Sequence, residues 1–368
     1  MAKADRERLT MLLSSHLNTI HETLQVLDQR PPASMEKVKW EDVVKMGEQV
    51  SKQATLVGML WTGDTPKAKE VEENMGSYFN VLQGFLLYFY GSMVGAGPTL
   101  SSSLHQLMMQ VINSSFNLMK DTISSYKSRR KDKEISVPVL VGQVWEACSS
   151  LKKAPVTNIA AIGRAMTQVA VSIKDVLREM KELKPACSEE DSQQSSGADG
   201  VNGNEEEEKE EEEEEEDDDD IGNDLSPEEM KVVESAIEVI SSSLIVVKEL
   251  IRAITGLLKI EKTDTSGTFV DSLEKLLKSS QVIGSEVDEL GACLYPPQEV
   301  PAMQAILEKI SGSLHAIESE VEALKGSSDS FVQTCSTMRD WIKQLGSILS
   351  CSIVNDLEKQ LKSTSVSN

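Results

Sequence analysis

Only four histidines could supply acid–base chemistry near neutral pH: His16, His21, His105 and His315. Histidine is the usual general base because its pKa lies close to neutrality. His16 and His21 are five residues apart, so they do not share a helix face as two metal ligands at i and i+4 would. The other two histidines are isolated in the sequence. We interpret all four as surface or half-buried side chains.

Other arrangements that carry chemistry are also missing from the sequence. Carboxylate pairs such as Glu72-Glu73 and Glu228-Glu229 are ordinary polar residues of helical segments. The patterns HExxH and GxSxG do not occur, and the short run Gly95-Ala96-Gly97-Pro98 does not follow a strand as a phosphate-binding loop would. We therefore expect a protein that is not an enzyme and that needs no cofactor or metal.

Five cysteines are spread along the chain, at positions 148, 187, 293, 335 and 351. Their odd number, wide spacing and lack of a CxxC pair predict reduced thiols rather than disulfides or a zinc site. The most apolar run, residues 85–97, is too short to span a bilayer, which takes roughly 20 residues. The N-terminus has no apolar core of a secretion signal. We expect a soluble intracellular protein without membrane insertion.

The elements that position all these residues are predicted to be helices. Ser226-Pro227-Glu228-Glu229 combines an N-cap hydroxyl, a proline at the first helical position and acidic residues in the first turn, which together indicate a helix start. Apolar residues then recur at steps of three and four. The same spacing predicts helices over residues 9–27, 40–61, 66–89, 100–118, 139–151, 159–183, 227–261, 273–294, 303–324 and 331–357. No segment alternates as a strand would, so the fold class is all-α.

An acidic segment divides the chain. Residues 188–224 contain 20 acidic residues and one lysine, and so account for most of the net charge of −23. Such a composition cannot bury a core. The sequence therefore predicts an N-terminal bundle of five or six helices (1–185), a disordered acidic linker (186–225) and a C-terminal four-helix bundle (226–362). The acidic balance argues against direct nucleic-acid binding.

Two charged features leave alternatives open. The basic cluster from Lys127 to Lys133 is either a nuclear import signal or a solvated helix end that interacts favourably with the helix dipole. The acidic linker is either a binding segment for basic proteins or a solubilising spacer. Ser188, followed by Glu189-Glu190-Asp191, is a candidate phosphorylation site for an acid-directed kinase.

Two short motifs carry a family resemblance. The first is Val144-Trp145-Glu146-Ala147-Cys148, followed by Asn158 and Ala160-Ala161 at the start of a long helix. The second is Asp288-Glu289-Leu290 leading into Tyr295-Pro296-Pro297. With the acidic segment between them, they resemble the cyclin-D-binding protein family, whose animal members are also called GCIP. The likeness in layout extends over about residues 40–360.

The resemblance implies an all-helical regulator without catalytic activity. It would bind D-type cyclins and helix-loop-helix transcription factors, restrain cell-cycle entry, and occur in cytoplasm and nucleus. Two other hypotheses fit the residues: a helical scaffold similar to the vinculin and talin bundles, and an acidic chaperone for basic proteins. In each case we expect partners to dock on an outer groove or on the linker, because the apolar helix stripes are needed for the core.

Overall fold

The computed structural model describes residues 2–27, 31–32, 34–62, 66–126, 136–183, 225–257, 267–324 and 328–365. Those ranges contain ten α-helices and no β-strand, which confirms the all-α prediction. The helices are α1 (Ala2–Leu27), α2 (Trp40–Leu60), α3 (Ala68–Ser92), α4 (Pro98–Ser125), α5 (Ser136–Ser150), α6 (Asn158–Met180), α7 (Pro227–Leu257), α8 (Gly267–Cys293), α9 (Val300–Ala323) and α10 (Asp329–Ser365).

The start of α7 shows how local chemistry sets a helix boundary. The Ser226 hydroxyl accepts from the backbone N–H of Glu229 at 3.3 Å, and the Glu229 carboxylate accepts in return from the Ser226 backbone N–H at 2.9 Å. This reciprocal capping box satisfies two donors that the first turn cannot pair internally. The helix predicted to begin at Pro227 therefore begins there.

Contacts divide the chain into two compact units. The first comprises Met1–Arg164 and Glu261–Glu274, and the second Ala165–Ile260 and Lys275–Asn368. The sequence had predicted domains at residues 1–185 and 226–362, so the C-terminal part of α6 joins a different unit from the predicted one. Of the predicted linker, 186–225, only Leu225 is described, and it is fully buried. Ser188 and the basic cluster from Lys127 to Lys133 lie outside the described residues.

The first unit is a ring of five helices. Around the ring, α3 packs on α2, α2 on α5, α5 on α4, α4 on α1, and α1 on α3. Neighbouring helices in an odd-membered ring cannot all be antiparallel. The parallel pair is α1 with α3, because Arg8 pairs with Glu72 and His16 stacks on Phe79 one step further along both helices.

Aromatic side chains fill the centre of this ring. Tyr78, Phe79 and Phe85 of α3 are almost fully buried. The Tyr78 hydroxyl donates to Ser115 Oγ on α4 at 2.8 Å, so the one polar atom of that ring is satisfied inside the core. Burial raises the pKa of Tyr78 far above its usual value and keeps it neutral.

The second unit is built around α7, which packs on α10, while α10 also packs on α9. Ion pairs tie α9 to α8, since Lys309 lies 3.1 Å from Glu286 and Lys275 Nζ donates to Glu320 at 2.9 Å. The α7 stripe predicted from the sequence is buried, including Val233, Ile240 and Val247. Valine and isoleucine fit this helix because most of its faces are covered by neighbours.

Candidate partner-binding surface

The first motif lies on α5 and separates into core and surface residues. Val144, Ala147 and Cys148 are buried, with 0%, 6% and 6% of their surface exposed. Trp145 remains 48% exposed. Three residues of the motif therefore hold α5 in the ring. The tryptophan is available to a partner.

Helix α5 runs antiparallel along α2, and three contacts define the pairing. Lys152, just after α5, lies 2.9 Å from Glu48; Trp145 Nε1 donates to Thr55 Oγ1 at 3.1 Å. Further along, a methyl group placed on Gly58 would lie 3.1 Å from Val141 Cγ2. The two helices therefore approach each other closely at Gly58.

The indole of Trp145 is held in place by a short chain of hydrogen bonds. Its N–H donates to the Thr55 hydroxyl, which itself donates to the Ser51 carbonyl at 3.0 Å. Leu56 and Met59 on α2 also expose apolar side chains. We call Thr55, Leu56, Met59 and Trp145 the α2–α5 seam.

Asn158, the first residue of α6, closes the loop between α3 and α4. Its Oδ1 accepts from the Gly97 backbone N–H at 2.7 Å, and its Nδ2 donates to the Gly95 carbonyl at 2.9 Å. Gly95 has a positive φ of 75°, a conformation that glycine adopts without strain. The residue that the sequence had placed only in a motif is therefore a clamp for a tight turn.

A carboxylate completes the same corner of the first unit. Glu274 accepts from the Thr99 backbone N–H at 2.9 Å and from the Thr99 hydroxyl at 2.7 Å. A negative charge at this position is favourable because Thr99 lies in the first turn of α4, at the positive end of the helix dipole. This role of Glu274 was not indicated by the sequence, because its partner Thr99 is 175 residues away.

Replacing Asn158 with alanine is expected to lower the free energy of unfolding of the first unit by about 1 to 2 kcal/mol, because the half-buried Gly97 N–H loses its acceptor. Asn158→Asp should not restore the wild-type value, since a carboxylate cannot donate to the Gly95 carbonyl. Urea unfolding followed by circular dichroism measures both. Wild-type stability of Asn158→Ala would contradict the clamp.

The second motif lies in the second unit, where α6 runs along α8. Ser172 on α6 donates to Asp288 on α8 at 3.1 Å, and Leu290 is fully buried. Methyl groups placed on Gly284 and Gly291 would lie 2.9 Å from Val169 and Val176 of α6. Asp288 thus sits between two glycines that allow α6 to come close. This contact explains why the second unit includes part of α6.

The end of α8 leads into the turn that contains Tyr295, Pro296 and Pro297. Tyr295 is 38% exposed, and the bond between the two prolines is cis. Gln298 in this turn donates to the carbonyls of Leu294 and Glu229, at 3.1 and 3.2 Å. Gln298, directly after the motif, therefore joins the α8–α9 turn to the beginning of α7.

One cavity of about 500 Å³ lies in the first unit. Its walls are apolar, and His105 and two serines stand at its polar side; the lining includes Leu24, Leu27, Phe89, Met93, Ser101, Ser102, His105 and Met108. Tyr90 is the other titratable side chain in this lining, and no carboxylate stands beside His105 there, so the cavity offers a largely apolar binding pocket. Another histidine, His16, lies on α1, where its ring is stacked on Phe79. Burial lowers the pKa of His16.

Within the described ranges, no three His, Cys, Asp or Glu side chains come together in a way that could hold a metal ion. None of the described helices is both long enough and apolar enough to cross a membrane. The α2–α5 seam presents exposed apolar side chains on two neighbouring helices.

Two family models match the chain, and they cover both motifs. The N-terminal model, Grap2 and cyclin-D-interacting, matches residues 42–186, and the C-terminal model of the same name matches residues 204–319. The chain belongs to this family. The first match contains the α2–α5 seam, and the second contains Asp288 and the Tyr295 turn. The family resemblance seen in the sequence is confirmed.

A curated relative agrees with the family models. The chain is 23% identical over 279 residues to the Cyclin-D1-binding protein 1 homolog of Xenopus laevis, an alignment that covers 76% of this chain and 78% of that protein. The names of the family and of this relative both describe an interaction with a D-type cyclin, and neither describes a reaction. This family member is therefore grouped with binding proteins.

Proposed function

We propose that this protein is a regulatory binding protein that recognises a D-type cyclin and acts by occupying it, without catalysing a reaction. The observation that carries the proposal is the match of both family models, which together extend over most of the chain. The exposed, fixed Trp145 adds a physical basis, since tryptophan is enriched among the residues that dominate binding energy. Restraint of cell-cycle entry, in cytoplasm and nucleus, is the role that the proposal gives it.

Binding to helix-loop-helix factors is a second part of the proposal, and the fold limits how it can occur. The apolar stripes of α2 and α3 are occupied by the first unit's own core, with Val50, Val57 and Leu82 almost fully buried. Dimerisation through these stripes would require opening the ring. We therefore propose that such factors also dock on an outer surface.

The test uses the full chain and a purified D-type cyclin from the same organism in isothermal titration calorimetry. The expected result is a one-to-one complex with a dissociation constant at or below about 10 μM. Absence of a complex at tenfold that concentration would remove the cyclin from the proposal. An unrelated helical bundle of similar charge serves as the negative control.

An acidic chaperone for basic proteins is the alternative that the composition favours, because 15 of the 16 residues from 205 to 220 are acidic. Deleting residues 205–220 distinguishes the two. The deletion should leave the affinity for the cyclin unchanged, whereas an acidic chaperone would lose its affinity for basic proteins such as histones.

A further inference from the structure

The cavity of the first unit lies where α1, α3 and α4 come together. Its inner wall includes Phe89, near the C-terminal end of α3, and Met108 of α4, which are only 4% and 3% exposed. Leu27, the last residue of α1, adds a half-buried apolar side chain. Ser102 and His105 of α4 are exposed and line the mouth. The cavity therefore has an apolar inner wall and a polar opening.

The walls of the cavity are held in place by contacts that lie outside it. Phe89 packs edge-on against Trp40, with their ring centroids 6.2 Å apart, and its backbone carbonyl accepts from the Ser92 hydroxyl at 2.6 Å. Gly95, which belongs to the lining, lies in the turn that Asn158 clamps. A pocket with fixed walls loses little conformational freedom when a ligand enters. The cavity is therefore preformed for binding.

The polar side chains of the lining are not engaged by the protein. Among the described residues, the hydroxyls of Ser101 and Ser102 and the ring of His105 have no hydrogen-bond partner. Ser103, which is outside the lining, differs from them because its hydroxyl donates to the Thr99 carbonyl at 2.9 Å. Hydroxyl groups and a neutral imidazole can both donate and accept. The mouth can therefore form a hydrogen bond with either a donor or an acceptor of a ligand.

The composition of the lining favours an uncharged molecule with rings. The lining contains no Asp, Glu, Lys or Arg, so a charged group inside it would have no opposite charge to pair with, and burying such a group is unfavourable. Phe89 and Tyr90 supply aromatic rings, which pack well on another ring. Met93 and Met108 add thioether groups, which also make favourable contacts with rings. The volume of about 500 Å³ is typical of a small-molecule site.

We propose that this cavity binds a small uncharged molecule that has an apolar ring system and one hydrogen-bonding substituent. The ring system lies against Phe89 and Met108, and the substituent forms its hydrogen bond with Ser102 or His105 at the mouth. The cavity is formed by α1, α3 and α4, whereas the α2–α5 seam lies on two other helices. The small molecule is therefore a ligand in addition to the proposed cyclin, and its binding does not require the cyclin.

Titration of the full chain into N-phenyl-1-naphthylamine, followed by the fluorescence of this uncharged aromatic amine, tests the proposal. The expected result is saturable one-to-one binding with a dissociation constant below about 50 μM. Met93→Trp places a larger side chain in the lining and should weaken binding by about tenfold or more, because it fills the cavity. Leu87→Trp is the matched control. It adds the same side chain at a position of α3 that is 58% exposed and outside the lining, and it should bind as the wild type does.

Two further measurements test the mouth and the absence of charge. The double variant Ser102→Ala/His105→Ala changes exposed residues, so it keeps its fold, which circular dichroism verifies. It should weaken binding by about threefold to tenfold, because the amine loses its hydrogen bond. The related probe 1-anilinonaphthalene-8-sulfonate has the same rings and an added sulfonate. It should bind about tenfold more weakly or worse, because its charge has no partner in the lining.

Each measurement has a result that would overturn the proposal. Absence of saturation at protein concentrations up to about 500 μM would show that the cavity does not take such a molecule. Wild-type affinity of both Met93→Trp and the double variant would place the probe elsewhere on the protein. Loss of binding in Trp145→Ala would place it on the α2–α5 seam. Binding of the sulfonate as tight as that of the uncharged amine would assign the cavity to an anion.

Discussion

Leu151→Ala is expected to lower the free energy of unfolding of the first unit by about 3 to 4 kcal/mol, because a fully buried leucine is replaced by a cavity. Leu151 is 0% exposed and lies where α5 meets α2. The backbone carbonyl of the same residue accepts from Trp40 Nε1 at 2.9 Å, and that bond remains in the variant. The loss therefore reports side-chain packing.

A second substitution makes this prediction specific. A methyl group placed on Gly47 would lie 2.5 Å from Leu151 Cδ1, so Gly47→Ala alone is strained. In the Leu151→Ala background the space is open, and alanine favours the helix over glycine by about 1 kcal/mol. The double variant should therefore be more stable than Leu151→Ala by about 1 to 2 kcal/mol.

Urea unfolding followed by tryptophan fluorescence measures this cycle. Three of the four tryptophans, at positions 40, 61 and 145, belong to the first unit, so a Trp341→Phe background makes the signal specific to it. Leu87→Ala, an exposed position on α3, should change the unfolding free energy by less than about 0.5 kcal/mol. Equal effects of Gly47→Ala in both backgrounds would show that Gly47 and Leu151 are not in contact.

Thiol reactivity is expected to differ by a factor of hundreds or more between Cys351 and two of the buried cysteines. Burial raises the pKa of Cys148 to about 12. Burial, and then the negative charge of Glu318, raise the pKa of Cys335 to about 12 as well. At pH 8 only about one molecule in ten thousand carries either thiolate, which is the reactive form. Cys351 is exposed.

Labelling with a chromogenic disulfide reagent at pH 8 measures this difference. In a Cys187→Ser variant, which removes a cysteine outside the described residues, one thiol should react quickly, and Cys351→Ser should abolish that phase. Cys148 and Cys335 should react only after the protein unfolds in urea. Rapid modification of either one in the native state would contradict its burial.

Much of the fold follows from spacing along the chain. The N-cap, proline and acidic residues at Ser226 to Glu229 indicate where α7 begins, and the apolar periodicity indicates the face that it buries. Prolines and glycines mark most other helix ends. These signals are local, since each depends on side chains within one or two turns.

The pairing of helices depends on distant residues and was not predicted. An apolar stripe shows that a helix has a buried face but not which helix covers it, so α6 was assigned to the N-terminal domain. The sequence does contain a signal for the packing of α6 on α8. Gly284 and Gly291 are seven residues apart on one face of α8, and two glycines in this spacing permit another helix to approach closely. Asn158 and Glu274 form hydrogen bonds with residues near the α3–α4 loop, and the apolar spacing of a sequence does not predict such contacts.

The exposure of Trp145 was also not predictable from the sequence. In the motif it follows the apolar Val144 and precedes the charged Glu146, so its place in the sequence does not show which face of α5 it occupies. Only the geometry of α5 against α2 shows that Val144 and Cys148 face inward while the indole faces outward. A motif can therefore combine residues that build a fold with one residue that the fold displays.

The closed ring of the first unit has a consequence for its synthesis. Trp40 donates to the carbonyl of a residue 111 positions later, so α2 acquires its second neighbour in the ring only when α5 has been made. Until then the nascent chain exposes the faces of α2 and α4 that α5 covers. Ribosomes that stall before α5 should release fragments that aggregate or recruit chaperones, whereas chains that extend past Leu151 can complete the ring.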